Sequence, residues 1–374
     1  MKIGKVNGIQ IKLNLSTFLI IGIVGFSAAN LYFNLVATPS IIELITVGII
    51  SGVIILLSIL IHELMHSFLA QKYGLIVSEI ELYLFGGVSK IEKEPESPKS
   101  EIFIAIVGPL SSIIIGLSFL LILFLFPFVL PPILYVTLLY TGISNVGLGL
   151  FNLLPAFPVD GGRVLRAILW SRKGSILSAT KTASQVGSIF AYGLMAYGVL
   201  QSFLFGIFNG FWFVLIGSFL NKQTKQAYIQ VKNESMLSSF YAREMISTPR
   251  MEIPFDTLLS DAVKEYFMVY KRKYFSVIQG DKIVGVIHIN DIKKIPFNQR
   301  HQYIVGYVMR KASGFPSIDE RETGNEVMKK LVLMKTNPHL VVVKQTHDEY
   351  VLGFIGEDEI VSSLQFCQLN PEKC

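Results

Sequence analysis

Ile61-His62-Glu63-Leu64-Met65-His66 lies inside one of the most apolar runs of the chain, and its reading decides the rest. His62 and His66 stand at i and i+4. On a helix that spacing stacks the two imidazoles on one face, where both reach a single Zn²⁺ with Glu63 beside them as general base toward water. Such a constellation performs hydrolysis. Taken alone, three fixed positions in five residues also fit a chance match or a helix end with two surface histidines. The surroundings argue against this: from Leu13 to Gln71 there is no Lys or Arg, and the only other Asp, Glu or His is Glu43. Ionisable groups at such a place are costly without partners, and a cluster of them points to function.

Composition sets the frame. The chain has 374 residues, 51% hydrophobic and 16% charged, with a mean hydropathy of +0.53, against a usual charged fraction of about 25%. The apolar text dominates up to Leu220 and gives way after Asn221 to an ordinary mixed sequence. This predicts a polytopic α-helical membrane protein with short membrane-associated β segments, followed by a soluble α+β part. The net charge of +6 reads as a topology signal, because Lys and Arg gather in particular loops, and no nucleic-acid partner is expected. Cys367 and Cys374 are the only cysteines, so neither a disulfide framework nor a cysteine zinc site is expected to support the fold.

Working outward from the motif, about six spans are expected. Residues 13–36 and 41–70 give the first two, each longer than the ~20 residues a crossing needs. Residues 1–12 alternate apolar and polar and suggest a short surface strand. Alternation over 76–91, ending at Gly86-Gly87-Val88, predicts strand and turn. The charged stretch 90–101, with Pro95 and Pro98, reads as a solvated loop, and spans three and four follow at 102–130 and 133–154. Arg163, Arg166, Arg172, Lys173 and Lys181 read as a basic loop. Residues 183–220 are apolar throughout; as one straight helix they would measure ~57 Å against a ~30 Å hydrocarbon core, so a split near 206–209 into a fifth and a sixth span is expected. Loops 37–40, 127–132 and 205–210 lack Lys and Arg, whereas 72–101 and 163–181 are basic. The positive-inside rule then places both termini in the cytoplasm, with the protein multi-pass in the plasma membrane.

A catalytic zinc takes three protein ligands and keeps one position open. The apolar half has only two histidines, and outside the motif and the 72–101 segment its carboxylates reduce to Glu43 and Asp160. Glu43 falls near the opposite membrane face, which leaves Asp160 as third ligand. Asp160 sits in Asn152-Leu153-Leu154-Pro155-Ala156-Phe157-Pro158-Val159-Asp160-Gly161-Gly162, where two prolines and two glycines break the helix. Irregular backbone at membrane depth survives only when buried in protein or lining a cavity. Asn152, two helical turns earlier, has an amide NH₂ suited to a substrate carbonyl oxygen, although an Asn there also serves helix packing.

His62-Glu63-x-x-His66 together with Asn152-x-x-Pro155-x-x-Pro158-x-Asp160-Gly161 resembles the site-2 protease family of intramembrane zinc metalloproteases, as do Gly86-Gly87-Val88 and Gly108-Pro109. The resemblance implies His62, His66 and Asp160 as zinc ligands, Glu63 as catalytic base, Asn152 as a substrate-facing residue, and a single-span membrane protein as substrate. The membrane domain is expected over 1–225.

Residues 245–291 and 308–359 share a layout of lead-in, amphipathic helix and strands, a repeat that means paired modules. They resemble tandem cystathionine-β-synthase-type (CBS) domains, here 240–296 and 303–366, which implies a homodimer and an adenosine nucleotide between the modules. Nucleotide-binding members close with a pattern similar to Gly-x-x-Thr-x-x-Asp; this chain keeps Asp291 but has His288 for the Thr, and Gly356 and Glu359 in the second copy. A dimerising or recruiting module is the competing reading. A rival for the whole chain is a CBS-gated transporter or channel, with the His, Glu and Asp cluster as ion pathway. An inactive scaffold is a third.

Overall fold

Asn7 and Gly8 both take positive φ, 47° and 85°, the two-residue turn whose twist matches that of paired strands. They fold the amino terminus into β1 (Lys2–Val6) and β2 (Ile9–Leu13), a hairpin where one strand was expected. In this computed structural model, which describes residues 1–374 apart from 84–85, 92–94, 128, 247–250, 335–337, 347–349 and 370–374, β2 then pairs in parallel with β3 (Val77–Tyr83). β3 pairs antiparallel with β4 (Gly86–Ile91), giving the order β1-β2-β3-β4. The 76–91 stretch thus forms strands as its alternation predicts, with the hairpin as their partner, but Gly86-Gly87-Val88, expected as the turn, is the start of β4, because its backbone pairs with β3. Glu79 of β3 makes ion pairs with Lys12 of β2 and Lys90 of β4. Those hydrogen bonds hold its carboxyl below the usual carboxylate range and favour one register across three strands. Ile9, Ile80 and Leu82 are buried with Ala70 and Ile104, which lays the sheet against the helices.

Those helices are α1 (Thr17–Leu35), α2 (Ile41–Lys72), α3 (Pro98–Leu125), α4 (Pro132–Asn152), α5 (Asp160–Lys173), α6 (Ile176–Phe205) and α7 (Ile207–Ser238). Five of them, α1 to α4 and α6, are long and apolar enough to cross a membrane. Their outward faces carry side chains such as Phe124 and Phe203, 80% and 85% exposed, as contact with lipid tails allows. The sixth expected span is the first part of α7: the break falls at Gly206, but the helix runs on beyond the apolar stretch. Glu43 has a structural task. Its carboxylate accepts from the Ser40 N–H at 2.8 Å while the Ser40 hydroxyl accepts from the Glu43 N–H, closing a capping box at the start of α2.

Two loop expectations are corrected. α3 begins at Pro98 and ends at Leu125, so Glu101 lies in its first turn, fully buried, and not in a solvated loop; residues 92–94 of that stretch lie outside the described residues. The basic loop after Asp160 is helix α5, with Arg166 buried on its inner face. The two corrections share one cause, since Arg166 donates to Glu101 at 2.7 Å. Each charge is buried because the other is there to meet it.

The chain divides into two compact units, Met1–Ile229 and Gln230–Cys374. In the second, β5 (Glu252–Pro254) runs parallel to β6 (Tyr274–Gln279), which pairs antiparallel with β7 (Lys282–His288). β8 (Arg310–Lys311) adds to β7. The arrangement recurs: β9 (Ser317–Asp319) runs parallel to β10 (Val341–Lys344), which pairs antiparallel with β11 (Val351–Ile355). Helical turns over 259–270 join β5 to β6, and helix Gly324–Leu333 joins β9 to β10. The repeat in the sequence is therefore a repeat in strand pairing. Each half has its own core, around Phe275 and Ile287 in one and Val341 and Ile355 in the other, and each such side chain contributes about 1.5–3 kcal/mol. Cys367 is buried, while Cys374 and Ser247 lie outside the described residues.

Candidate metal centre

α2 brings His62 and His66 one turn apart with both rings buried, 4% and 5% exposed. Leu153–Val159 turns back from the end of α4, and Asp160 opens α5 facing them. The three ligand atoms form a near-equilateral triangle: His62 Nε2 to His66 Nε2 is 3.1 Å, His62 Nε2 to Asp160 Oδ2 is 3.2 Å and His66 Nε2 to Asp160 Oδ2 is 3.1 Å. Among the described residues this is the group of His, Cys, Asp and Glu side chains placed to hold a metal ion.

The donor set fits zinc. His66 Nδ1 lies 2.5 Å from the Ile104 carbonyl oxygen, an atom that only accepts, so the ring proton is on Nδ1 and Nε2 turns its lone pair into the triangle. There it meets the lone pairs of a carboxylate oxygen and of a second imidazole at 3.1 Å. A single N–H on His62 Nε2 could satisfy only one of these two neighbours, whereas a cation between the three atoms satisfies all of them. The edge of a tetrahedron around zinc with ligands at ~2.0–2.1 Å is about 3.3 Å, close to the triangle's sides. Two imidazoles and a carboxylate leave the fourth position open, as in hydrolytic zinc sites.

One face of α3 supports this triangle. Glu101, Ile104, Gly108 and Ser112 recur every three or four residues, so they form one stripe. Ile104 orients His66, and Ser112 Oγ meets His62 Nδ1 at 2.9 Å. A side chain at Gly108 would strike the His66 ring, so only glycine lets α3 approach. Glu101 binds Arg166, whose guanidinium also lies 5.4 Å from the centre of the Phe157 ring; this ties α5 and its approach loop to the same helix. The Phe157 carbonyl accepts from Thr224 of α7 at 2.5 Å, and Arg163 reaches Asp160 Oδ1 at 3.5 Å.

Glu63 extends toward β4, where its Oε2 accepts from Ser89 Oγ at 3.1 Å. Gly87 of the same strand has no room for a Cβ against the Glu63 side chain. Asn152 stands at the last position of α4, half-buried, with its NH₂ donating to the Leu148 carbonyl at 2.9 Å. One amide hydrogen is thereby used and a second remains. Sequence reasoning missed Glu101, Arg166, Ser112 and Ser89. For Glu101 a signal exists: Ser97-Pro98-Lys99-Ser100-Glu101 has the cap residue, first-position proline and first-turn acid of a helix start.

In the second unit Asp291 is buried, 5% exposed. Arg310 grips it from two sides, Nε to Oδ2 at 2.9 Å and a terminal nitrogen to Oδ1 at 2.7 Å, and Lys294 adds 2.9 Å to Oδ1. Burial pushes its carboxyl up, but Arg310 and Lys294 outweigh this and hold it below the usual range. Glu359 accepts from the Gly356 N–H at 3.0 Å and from the Tyr274 hydroxyl. A cleft of about 230 Å³ lies between the repeats, lined among others by Lys273, Tyr274, His288, His339 and Gly356.

Comparison with known proteins bears on the first unit. The model of peptidase family M50 matches residues 51–135 and 131–197. A zinc metalloprotease of Methanocaldococcus jannaschii is 33% identical over 246 residues, 65% of this chain and 68% of that protein. A relative in Synechocystis sp. is 29% identical over 371 residues, 98% of this chain and 95% of its own length. Among solved structures, the site-2 protease from Methanocaldococcus jannaschii is 32% identical with a TM-score of 0.43, covering 60% of this chain and 94% of that one. The CBS domain of a bacterial CNNM/CorC-family Mg²⁺ transporter is 14% identical with a TM-score of 0.31, covering 37% of this chain and 83% of that one. On the sequence identity across two thirds of the archaeal enzyme, with the M50 match spanning the HExxH and Asp160 segments, the chain belongs to peptidase family M50, the site-2 protease family of membrane zinc metalloproteases.

Proposed function

We propose that the chain is an intramembrane zinc endopeptidase that cuts a single-span membrane protein near the cytoplasmic side of the plasma membrane. The observation that carries this reading is the triangle of His62 Nε2, His66 Nε2 and Asp160 Oδ2 at 3.1–3.2 Å with Glu63 on the same helix turn. His62, His66 and Asp160 would hold zinc, which supplies Lewis acidity that activates water and polarises the scissile carbonyl. Glu63 takes the proton from the attacking water and delivers it to the leaving amine. The remaining Asn152 amide hydrogen donates to the substrate carbonyl oxygen as charge develops there.

A transmembrane helix must unwind before its backbone can be attacked, and the freed groups need partners. β4 ends the sheet order and touches Glu63 through Ser89, so it is the candidate to pair with the unwound segment by strand addition. Family membership displaces the transporter reading, and the intact His, Glu, His and Asp positions speak against an inactive scaffold. The carboxy-terminal repeats would dimerise the enzyme and modulate it. Because Arg310 and Lys294 already neutralise Asp291, an adenosine nucleotide would have to compete with them for that carboxylate.

The test is a cleavage assay of the purified chain on a single-span substrate, with the cut mapped by mass spectrometry. A cut in the cytoplasmic half of the span is expected; an extracytoplasmic cut, or none with zinc present, contradicts the reading. Topology is checked separately: cysteines at Thr38 and Pro131 should react with an impermeant external thiol reagent and one at Ser97 should not. Calorimetric titration of adenosine nucleotides into the full chain distinguishes a sensor, whose heat Asp291→Ala removes, from a dimerising module that gives none at millimolar ligand.

A further inference from the structure

We infer that Ser89 is the positioning residue of the base: its hydroxyl, supported by that of Ser67, fixes the Glu63 carboxylate and couples it to the edge strand of the sheet. The inference rests on the reading of Glu63 as base. Ser89 Oγ donates to Glu63 Oε2 at 3.1 Å, and Ser67 Oγ lies 3.2 Å from Ser89 Oγ. Since the carboxylate only accepts, Ser89 spends its one hydrogen there, and Ser67 must donate to Ser89. The hydroxyls therefore form a directed chain ending on Oε2, which leaves Oε1 to receive the proton of water.

Two periodicities build this chain. Glu63 and Ser67 are i and i+4 on α2, so both project from one face; Gly87 and Ser89 are two apart on β4, so both address the same side of the sheet. At position 87 the strand makes room for Glu63 by having no side chain, and at 89 it grips the carboxylate. A glutamate on a bare helix face samples several rotamers about its three side-chain torsions. A charge-assisted hydrogen bond from a neighbouring strand selects among them. Displacement of β4 would release the base, so a substrate backbone that seats this strand by pairing with its outer edge also sets Glu63 for catalysis.

The experiment compares Ser89→Ala, Ser89→Thr and Ser67→Ala in the full-length enzyme, measuring kcat, KM and zinc content. Ser89→Ala should lower kcat about 10-fold with KM and zinc per chain unchanged. Ser89→Thr, which restores the hydroxyl on a strand-compatible residue, should recover most of that loss, and Ser67→Ala should lower kcat by less than Ser89→Ala. Wild-type kcat in Ser89→Ala, equal loss in the Ala and Thr variants, or loss that follows zinc content each overturns the inference. Glu63→Gln in the same assay separates the two failures: if it still cuts, the base reading is wrong; if it is dead while Ser89→Ala is fully active, only the positioning role falls.

Discussion

Asp160 and Asp291 are both shielded carboxylates, and the protein treats them in opposite ways. Asp291 is closed by the chain's own cations, two bonds from Arg310 and one from Lys294 at 2.7–2.9 Å. Asp160 is left facing two imidazole nitrogens with Arg163 only at its far oxygen, 3.5 Å away. A buried carboxylate already neutralised in the fold is a structural element; one aimed at other acceptors waits for a cation from outside. The contrast separates a candidate metal ligand from an ion-pair partner among residues that look alike in sequence.

Removing Asp160 should have the largest effect. Asp160→Ala removes the proposed third ligand, so zinc measured by atomic absorption should fall well below one per chain and cleavage should vanish. Full zinc occupancy would erase the contrast. Next comes the pair beneath the site: Arg166→Leu strands Glu101 in the interior, a loss of about 3–5 kcal/mol. The double change Glu101→Leu with Arg166→Leu should recover most of it in thermal unfolding in detergent. An unchanged midpoint in the single variant would show that the pair contributes nothing.

Ser112→Ala removes the partner of His62 Nδ1 and should cost about 10–100-fold in zinc affinity or activity, read by chelator competition. The smallest effect belongs to the second unit. Arg310 is partly exposed, so after solvent screening Arg310→Ala should cost only about 1–2 kcal/mol. Its sign with pH is fixed. The folded carboxyl of Asp291 is held below its ordinary value, so the pair's stabilisation is present above the unfolded value near ~4 and is lost as pH falls through the lower folded value. Unfolding between pH 6 and 3 should show this loss in wild type and a flatter profile in Arg310→Ala.

The candidate site's cluster was legible because the sequence places its members against type: His62, Glu63 and His66 interrupt an apolar run, and Asp160 sits on a proline- and glycine-broken segment. Their supports were not. Ser112 is one hydroxyl among many in the helices, and the Ile104 carbonyl belongs to a backbone that any residue shares. Glu101 and Arg166 each stood in charged text that reads as solvated, and only their approach in space explains why both are buried. The strand-pairing repeat was visible as sequence repetition, whereas the amino-terminal hairpin joining the sheet beside the motif depends on pairing between β2 and β3, far apart in the chain. The end of the sixth expected span's helix was not legible because composition marks where apolar text stops and not where a helix does, and α7 continues to Ser238.

The central claim is that His62, His66 and Asp160 hold zinc while Glu63 moves the proton. Glu63→Gln tests it most directly, measured as zinc per chain beside the rate of substrate cleavage in the same preparation. The amide keeps the shape of the side chain and leaves the ligands intact, yet cannot take a proton from water. The account predicts wild-type zinc, near one per chain, with cleavage reduced by about 10²–10⁴-fold or more. Cleavage near the wild-type rate, or wild-type protein that cuts without zinc, would contradict it.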